Sequence, residues 1–390
     1  MDNYHDLEQF LEEEQELAEL GEMGNNVVQL PPIIMDHFDP FMCSDYDFWQ
    51  RYRFTKDSVS RLAMLVFPEP YVTDRGKPMS REQVTCVPLH QLADGGFHRV
   101  QGECSWAAKS TFQEALYRFV SALRVHKAQF VHMPTRQMME DNARCIQEKY
   151  HLWNVVAGID GCHVVFKEAP RGLDPYGDPK QKLFINRKGS YSLNCLVTGG
   201  FDHKIYDIVI NVPGSFHDSS VYRLSRVKAY LETLYPRVYV LGDKAFRISD
   251  VMITPFKRNV PDYNNDKILF NIRHSGARTE MTENIYGLWK RRFPILNCVR
   301  LHLQNAIAVI EATAILHNIS ILWGDLVPRE MMDEAPPGHD DAPEDDVVVD
   351  NRLPDDVRRQ QGFAARDALM RRSLQTPPSA SERQKMRRHR

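Results

Sequence analysis

The fold is decided by the stretch Val155-Val156-Ala157-Gly158-Ile159-Asp160-Gly161-Cys162-His163-Val164-Val165-Phe166-Lys167. Its β-branched apolar residues predict a strand. Asp160 lies in the middle, and a carboxylate in a buried strand is costly unless it is paired or binds a cation. Gly158 and Gly161 leave room for a ligand or another backbone to approach. From this stretch alone, Asp160 is either a binding carboxylate or a solvated residue at the end of a strand.

Three more segments further along the chain predict strands. They are residues 191–198, 204–212 and 237–243, and residues 199–203 form a hairpin turn between the first two. A helix that Asp218 can cap precedes the last strand, which ends at Asp243 in a second Gly-Asp pair. Helices over residues 282–293 and 305–323 follow. The order β-β-β-α-β-α predicts an α/β domain over residues 151–325.

Residues 36–150 predict an all-helical region. Thr55 is a predicted helix N-cap, and Ser80 and Gln83 have the spacing of a capping box. A glycine-containing turn at residues 94–97 is followed by residues 105–111, which lead into a further helix. This pattern is compatible with a degenerate helix-turn-helix in which Lys109 contacts DNA, and equally with a plain helical bundle.

The two ends of the chain differ in composition from its middle. Residues 1–35 are acidic and predict a flexible segment or a short amphipathic helix. Residues 326–390 run from an acidic, proline-rich stretch to a basic end, and they predict a disordered tail with a short helix at residues 357–373. The basic end at residues 383–390 is either a nuclear localisation signal or an ordinary charged tail.

The composition argues against several classes of protein. No run of about 18 apolar residues is present, which argues against a transmembrane helix. The N-terminus lacks the basic and apolar regions of a secretory signal. The 7 cysteines are scattered and include no CxxC pair, which favours a reducing compartment over a disulfide framework or a zinc knuckle. The net charge of −3 argues neither for nor against nucleic acid as a partner.

Three carboxylates stand in positions that suit a metal site. Asp160 and Asp243 lie in or at the ends of strands, and Glu283 lies in a helix. Hard divalent cations such as Mg²⁺ prefer oxygen ligands. Two such ions about 3.5–4 Å apart can activate a water molecule and stabilise the leaving oxygen of a phosphodiester. The alternative is an unrelated structural protein in which the aspartates stand at loop ends by accident.

A basic cluster follows Glu283 on the same predicted helix. Lys290 lies seven residues further on and therefore shares its face, with Arg291 and Arg292 beside it. Basic side chains one or two turns from metal-binding carboxylates suit a phosphate backbone, so all three are predicted to contact DNA. A solvated helix face is the alternative.

Ordered blocks of sequence run through the second half of the chain. Four of them are nearly continuous: Gly158-Ile159-Asp160-Gly161-Cys162-His163; Asn186-Arg187-Lys188-Gly189 with Tyr191-Ser192-Leu193-Asn194; Pro213-Gly214-Ser215-Phe216-His217-Asp218-Ser219; and Leu241-Gly242-Asp243-Lys244-Ala245-Phe246. A fifth, spaced set consists of His274-Ser275, Arg278, Glu283, Tyr286-Gly287, Lys290 and Arg292-Phe293. The last block is Leu316-His317-Asn318-Ile319. Together these blocks resemble the PIF/Harbinger transposases and the Harbinger transposase-derived nucleases. The resemblance covers residues 150–323.

The resemblance implies a ribonuclease-H-like catalytic domain with a DDE triad. Asp160 and Asp243 match the two aspartates of the triad, and Glu283 matches the glutamate. The implied activity is DNA strand cleavage that depends on Mg²⁺ or Mn²⁺, and for a true transposase also strand transfer. Arg187 and Lys188, in the second block, are predicted to contact the DNA.

Three further residues are predicted to support the site. Asp218 lies in a family block but in a loop, so it is predicted to support the site without binding metal. His163, beside the metal-binding strand position, either contacts substrate or the surroundings of the site or is a buried structural histidine. Arg278 precedes Glu283 by one residue more than in the family, which leaves Glu280 as the alternative third carboxylate. Glu283 is preferred because the residues after it keep their family spacing.

The resemblance also implies partners and a location. DNA is the expected substrate, a separate Myb/SANT-like protein is an expected partner, and a homo-oligomer is compatible with the family. The nucleus is the expected compartment, with the cytoplasm as a second one, and no membrane is involved. The alternative function is that of a domesticated transposase acting as a non-catalytic DNA- or protein-binding module. The acidic N-terminus, the weakened helix-turn-helix and the long tail would suit that role.

Overall fold

The computed structural model describes residues 39–68, 79–95, 109–170, 181–234, 238–259, 262–325 and 356–388. Several predictions fall outside these residues. They are the acidic segment 1–35, the segment just before Lys109, the side chain of Lys109 itself, and the acidic, proline-rich part of the tail.

A five-stranded sheet lies at the centre of the described structure. Its strands are β1 (Val155–Val165), β2 (Ser192–Gly199), β3 (Ile205–Val209), β4 (Tyr239–Leu241) and β5 (Met252–Ile253). The order across the sheet is β3-β2-β1-β4-β5. Strand β2 is antiparallel to both β1 and β3, whereas β4 is parallel to β1 and β5 is parallel to β4. The predicted α/β class with a ribonuclease-H-like mixed sheet is therefore confirmed. Strand β5 is an addition to the predicted strands.

The chain before the sheet is helical, as predicted. Its helices are α1 (Asp45–Tyr52), α2 (Lys56–Val66), α3 (Arg81–Asp94), α4 (Lys109–Val125), α5 (Lys127–Phe130) and α6 (Arg136–Tyr150). Thr55 caps α2 by accepting a hydrogen bond from the backbone nitrogen of Ser58 at 3.3 Å. Ser80 and Gln83 form a capping box at the start of α3. Both predicted helix starts are confirmed.

Six α-helices lie in the described residues between Gln181 and Leu322, within or after the sheet. They are α7 (Gln181–Phe184), α8 (Asp218–Tyr222), α9 (Val227–Glu232), α10 (Asn265–Met281), α11 (Glu283–Arg292) and α12 (Leu303–Leu322). Helix α10 packs closely over β1 at Gly158, where an added Cβ would lie 3.0 Å from Met281 Cβ. Helix α12 is long and apolar enough to cross a membrane, but 67% of its most apolar window is buried inside the protein. A buried core helix of a soluble protein has the same length and composition.

The N-terminal helices and the sheet share one hydrophobic core. This core joins Phe48 of α1 and Phe119 of α4 to Val164 of β1, Trp289 of α11 and Ile315 of α12. Burial of these large apolar side chains is the main source of stability for both parts. The helical region therefore packs as part of the same body as the sheet.

A buried carboxylate also joins the two parts. Asp325 accepts hydrogen bonds from the backbone nitrogen and Oγ1 of Thr55, at 2.9 and 3.0 Å, and pairs with Arg292. The Arg292 guanidinium further donates to the backbone oxygen of Arg53 and lies 4.9 Å from the ring centre of Phe54. An ion pair that is this deeply buried is stable only because hydrogen bonds satisfy both partners.

The prediction of a disordered tail is wrong for residues 356–388. They form helices α13 (Asp356–Ser373) and α14 (Ala380–Arg388), which pack on α10. Leu369 is buried beside Phe270 and Ala277 of α10. The composition of this segment is polar, and its attachment depends on the buried Arg273 of α10, whose partners lie about a hundred residues away in sequence. Only the short helix at 357–373 was expected.

Candidate functional site

Two aspartates end up side by side at one end of the sheet. Strands β1 and β4 are parallel, and Gly158 pairs with Leu241. Asp160 and Asp243 each lie two residues beyond this pair, so the shared register brings them to adjacent positions at the same edge. Asp160 Oδ1 accepts a hydrogen bond from its neighbour Gly161 at 2.9 Å, and Asp243 Oδ1 accepts one from the backbone nitrogen of Ala245 at 3.0 Å.

One guanidinium brings the three predicted carboxylates together. Arg278, near the end of α10, donates to Asp160 Oδ2 and, at 3.1 Å, to Glu283 Oε1. Burial lowers the pKa of Arg278, but the charges of Asp160, Glu283 and Asp243 outweigh burial and raise it above the usual value. Asp160 and Glu283 therefore share one cationic partner, although one lies in the middle of a strand and the other begins a helix, and the charge of Asp243 acts on the same group.

The break between α10 and α11 places Glu283 at the site. Thr282 lies between the two helices with φ −133° and ψ −67°, so Glu283 becomes the first residue of α11. Thr279 Oγ1 donates to Glu283 Oε1 at 3.1 Å and helps to hold it. The interval from Arg278 to Glu283 is one residue longer than the family pattern predicts, and this interval contains the break.

Glu280 lies elsewhere. Its carboxylate accepts hydrogen bonds from Lys149 Nζ at 2.7 Å and from the Tyr150 hydroxyl at 2.9 Å. Burial acts to raise the pKa of Glu280, but these hydrogen bonds dominate and lower it. Of the two candidates for the third carboxylate, only Glu283 shares a partner with Asp160.

The environment of Asp160 is short of positive charge. Burial raises the pKa of Asp160 to about 7; Arg278 acts in the opposite direction, while the nearby carboxylates of Asp218 and Glu283 raise it further. The backbone oxygen of Asp160 accepts a 2.6 Å hydrogen bond from the Tyr286 hydroxyl, which fixes the strand at this point. A carboxyl group that is buried among other carboxylates gains most from an added cation.

Asp218 lies against the next residue of the strand. An added Cβ at Gly161 would stand 2.5 Å from Asp218 Cγ, so only glycine lets the carboxylate approach so closely. Asn194 of β2 donates to Asp218 Oδ1 at 2.6 Å and to the backbone oxygen of Phe216 at 2.9 Å. Asp218 thus adds negative charge beside Asp160 while it is held by its own partner. This placement agrees with the supporting role that was predicted for it.

Hydrogen bonds hold His163 in place and join Lys290 to it. His163 Nδ1 lies 3.0 Å from Ser192 Oγ, and Ser192 Oγ also accepts from Asn186 Nδ2 at 3.1 Å. Lys290 Nζ donates to the backbone oxygen of His163 at 2.9 Å. His163 is therefore part of a hydrogen-bonded network, which favours the structural reading among the roles that were predicted for it.

The predicted DNA-contacting residues fall into two groups. Arg187 and Lys188 are exposed, and Arg187 lies 2.9 Å from the Nδ1 atom of His217. Lys290 and Arg291 are half-buried on α11. The prediction for Arg292 is wrong, because its side chain is 3% exposed and is fully engaged by Asp325 and neighbouring carbonyls. Helical spacing alone could not reveal that the last turn of α11 faces the N-terminal helices.

The donor set fits a hard divalent cation. Carboxylate oxygens are the ligands that Mg²⁺ and Mn²⁺ prefer, and three carboxylates here surround a single positive charge. As the side chains stand, no three His, Cys, Asp or Glu residues in the described part of the chain have the spacing of a metal site. Arg278 explains this, because its guanidinium occupies the space between Asp160 and Glu283. A metal ion would replace Arg278 as the partner of these two carboxylates.

Three residues of the site were not predicted as such. Tyr286 and Asn194 stand in the sequence blocks, so their position in those blocks was the available signal. Thr279 gave no signal, because its contact with Glu283 depends on the helix break at Thr282.

Comparison with known proteins finds a matching family and several similar proteins. The family described as DDE superfamily endonuclease matches residues 159–318. The protein named "Putative nuclease HARBI1" from Mus musculus is 26% identical over 281 residues, which cover 69% of this chain and 76% of the mouse protein. The protein of the same name from Homo sapiens is 24% identical over 261 residues, 65% of this chain and 70% of its own.

One solved structure shares a weaker likeness. It is a pre-cleavage Mos1 transpososome, which covers 66% of this chain and 83% of its own chain at 14% identity. The TM-score of 0.18 is too low to carry an argument.

Proposed function

We propose that this chain, whose residues 159–318 match the DDE superfamily endonuclease family and which is similar to proteins named "Putative nuclease HARBI1", is a metal-dependent nuclease that cleaves phosphodiester bonds in DNA. The resemblance to this superfamily implies divalent metal ions. One observation carries the proposal: the Arg278 guanidinium pairs with both Asp160 and Glu283, which come from a strand and a separate helix, and Asp243 follows the strand that is parallel to the strand of Asp160.

Asp160, Asp243 and Glu283 are the residues that would hold the metal. Bound divalent ions would supply activation of a water molecule and stabilisation of the leaving oxygen. The protein's own part is to keep the carboxylates close together and to exclude water from Asp160. The Tyr286 hydroxyl and the Thr279 hydroxyl hold Asp160 and Glu283 in place through the bonds described above.

Arg278 has a second part in this proposal. In the metal-free protein it compensates the charges of Asp160 and Glu283. With these carboxylates bound to metal, the guanidinium of Arg278 would be free to donate to phosphate oxygens, which a bidentate donor suits. Exposed Arg187 and Lys188 would contact the DNA backbone further out.

A nicking assay tests the proposal. Supercoiled plasmid is incubated with the full chain in Mg²⁺, in Mn²⁺ or in EDTA, and nicked circles are counted. We expect nicking in either metal, none in EDTA, and a loss of at least about 100-fold in Asp160→Asn. Glu280→Gln is the matched control, because it removes an acid from α10, the helix of Arg278, but outside the site, and it should nick like wild type. Equal nicking by wild type and Asp160→Asn overturns the proposal.

A second function is favoured by a specific observation. Arg278 already neutralises two of the three carboxylates, which is how a domesticated, non-catalytic DNA-binding module would be stabilised without metal. Titration calorimetry with Mn²⁺ distinguishes the two functions. The nuclease binds Mn²⁺ with a stoichiometry that falls in Asp160→Asn, whereas the non-catalytic module binds none.

Strand transfer, a Myb/SANT-like partner, assembly into a homo-oligomer and a nuclear location complete the proposal. They rest on the family resemblance. A strand-transfer assay with pre-cleaved DNA ends, and size-exclusion chromatography with light scattering, test the first and third directly.

A further inference from the structure

A fully buried arginine ties the C-terminal helices to the helix that carries Arg278. The side chain of Arg273, on α10, has no exposed surface. It donates to Glu382 Oε1 at 2.9 Å, to the backbone oxygen of Thr376 at 3.0 Å and to the backbone oxygen of Ser373. Every one of these acceptors belongs to the end of α13, to α14 or to the link between them. A buried guanidinium with such a set of partners holds a defined structure.

Helix α13 adds apolar and cation–π contacts to this attachment. Leu369 is buried in the core beside α10, and the Arg366 guanidinium lies 3.9 Å from the ring centre of Phe256. The Arg372 guanidinium lies 4.7 Å from the ring centre of Trp153. Two of the basic residues of α13 thus serve to pack the helix on the domain.

The basic residues of helix α14 are exposed, unlike those of α13 that pack on the domain. Helix α14 begins with a capping arrangement in which Ser379 and Glu382 exchange hydrogen bonds, and Glu382 is bound to Arg273 as well. None of its residues is buried. The exposed basic residues of the helix are Arg383, Lys385, Arg387 and Arg388. Its single acidic residue is therefore engaged by the domain, while the basic ones lie on the surface.

The basic residues of α14 stand at spacings that repel one another. Arg383 and Arg387 are four residues apart, and Lys385 and Arg388 are three apart, so each pair lies close on the helix surface. Like charges at these spacings destabilise a helix, and a bound polyanion removes the penalty. We propose that α14 is a binding site for the phosphate backbone of duplex DNA.

This assignment rests on the proposed nuclease function. The anchor of α14, Arg273, and the site residue Arg278 are five residues apart on α10, which is about 7.5 Å along the helix axis and about 140° around it. One helix therefore carries both α14 and the arginine of the site. A nuclear import receptor is disfavoured as the occupant, because these basic residues are fixed in a folded helix and not in an extended peptide.

The test compares two triple variants that remove the same charge. Lys385→Ala/Arg387→Ala/Arg388→Ala removes the exposed charges of α14. Arg118→Ala/Arg136→Ala/Arg144→Ala is the control, because these exposed arginines pair with acids on their own helices. Binding of a fluorescent 30-base-pair duplex is measured by anisotropy in EDTA over a range of salt concentrations. No residue of α14 is buried, so both proteins should fold, and thermal unfolding checks this.

We expect weaker binding and a slope of log K against log salt that is smaller by about 2–3 in the α14 variant, since each phosphate contact contributes about 0.9. A variant that keeps Lys385 and carries Arg387→Lys and Arg388→Lys should retain most of the slope. Equal slopes in wild type, α14 variant and control overturn the proposal. Unchanged DNA binding together with lost nuclear accumulation also overturns it, because that result would identify a localisation signal. Because binding is measured without metal, a wild-type protein that binds through α14 but nicks no plasmid contradicts only the nuclease function.

Discussion

Arg278 and Asp160 form a buried ion pair at the edge of the sheet, where both side chains are largely withdrawn from water, with exposed fractions of 15% and 13%. The same guanidinium also reaches Glu283. In the metal-free protein this arginine is therefore the counter-ion of the two carboxylates that the resemblance assigns to metal.

Replacement of Arg278 by Met should separate stability from metal affinity. Loss of one partner from a buried ion pair costs about 3–5 kcal/mol, so the metal-free variant should unfold at lower urea. The affinity for Mn²⁺ at pH 8 should rise by at least about tenfold, since the competing guanidinium is gone. Urea unfolding in EDTA and titration calorimetry measure the two effects. Lys149→Met, which removes the partner of Glu280, is the control and should leave Mn²⁺ binding unchanged; weaker Mn²⁺ binding in Arg278→Met would count against the competition.

Stability should fall with rising pH because of Asp160. Its pKa is about 7 in the folded protein and near 3.8 when unfolded, so the folded state holds the proton more tightly. This contribution is fully present below about pH 4 and is lost as the pH rises through 7, by roughly 4 kcal/mol at most. Urea unfolding in EDTA at pH 5 and pH 8 should show the loss in wild type, and Asp160→Asn should lack it. The same pH dependence in both proteins would refute the assignment to Asp160.

Gly161→Ala should disrupt the contact with Asp218. The new Cβ would stand 2.5 Å from Asp218 Cγ, so one of the two elements has to move. Overpacking of this kind costs about 1–3 kcal/mol. Gly287→Ala is a sharp control, because no atom lies within 4 Å of its Cβ position and alanine favours the helix by about 0.5–1 kcal/mol. Thermal unfolding should therefore shift in opposite directions for the two variants, and a parallel shift would contradict the crowding at Gly161.

Arg273→Met should release the C-terminal helices. Glu382 and two carbonyl oxygens lose their donor, which costs about 1–3 kcal/mol for each buried group that water cannot reach. Hydrogen exchange at residues 380–388 should become much faster, while exchange in β1 and β2 should change little. Unchanged protection of α14 would show that packing of α13 alone holds it.

Much of the fold followed from residue pattern. The alternation of β-branched strands, the hairpin at residues 199–203 and the capping residues Thr55 and Ser80 are local features, and each one formed where it was expected. The helix at residues 357–373 was expected, but α14 and the packing of both C-terminal helices on α10 were missed because they depend on contacts with Arg273 and Phe256, which no local pattern encodes.

The candidate site followed less completely. The order of the carboxylates along the chain and the family spacing pointed to Asp160, Asp243 and Glu283. The structure joins Asp160 and Glu283 through Arg278, and the assignment of all three to a metal site stays a prediction. The role of Arg292 could not be foreseen, because the sequence pattern of a basic helix turn is the same whether its arginine faces water or the buried Asp325. Tertiary contacts decide such cases, and sequence spacing does not contain them.

The single carboxylate of Asp325 has a consequence for how the protein can be divided. It holds the first turn of α2 through Thr55 and the last turn of α11 through Arg292, at the boundary between two segments that read as separate domains in sequence. Without the helical region, Asp325 would lose its two Thr55 donors and Arg292 would lose the Arg53 carbonyl, although the two charges would still pair with each other. The helical region is therefore not a portable module, and a gene fusion that exchanged it for another segment would leave this buried ion pair of the sheet domain short of hydrogen-bond partners.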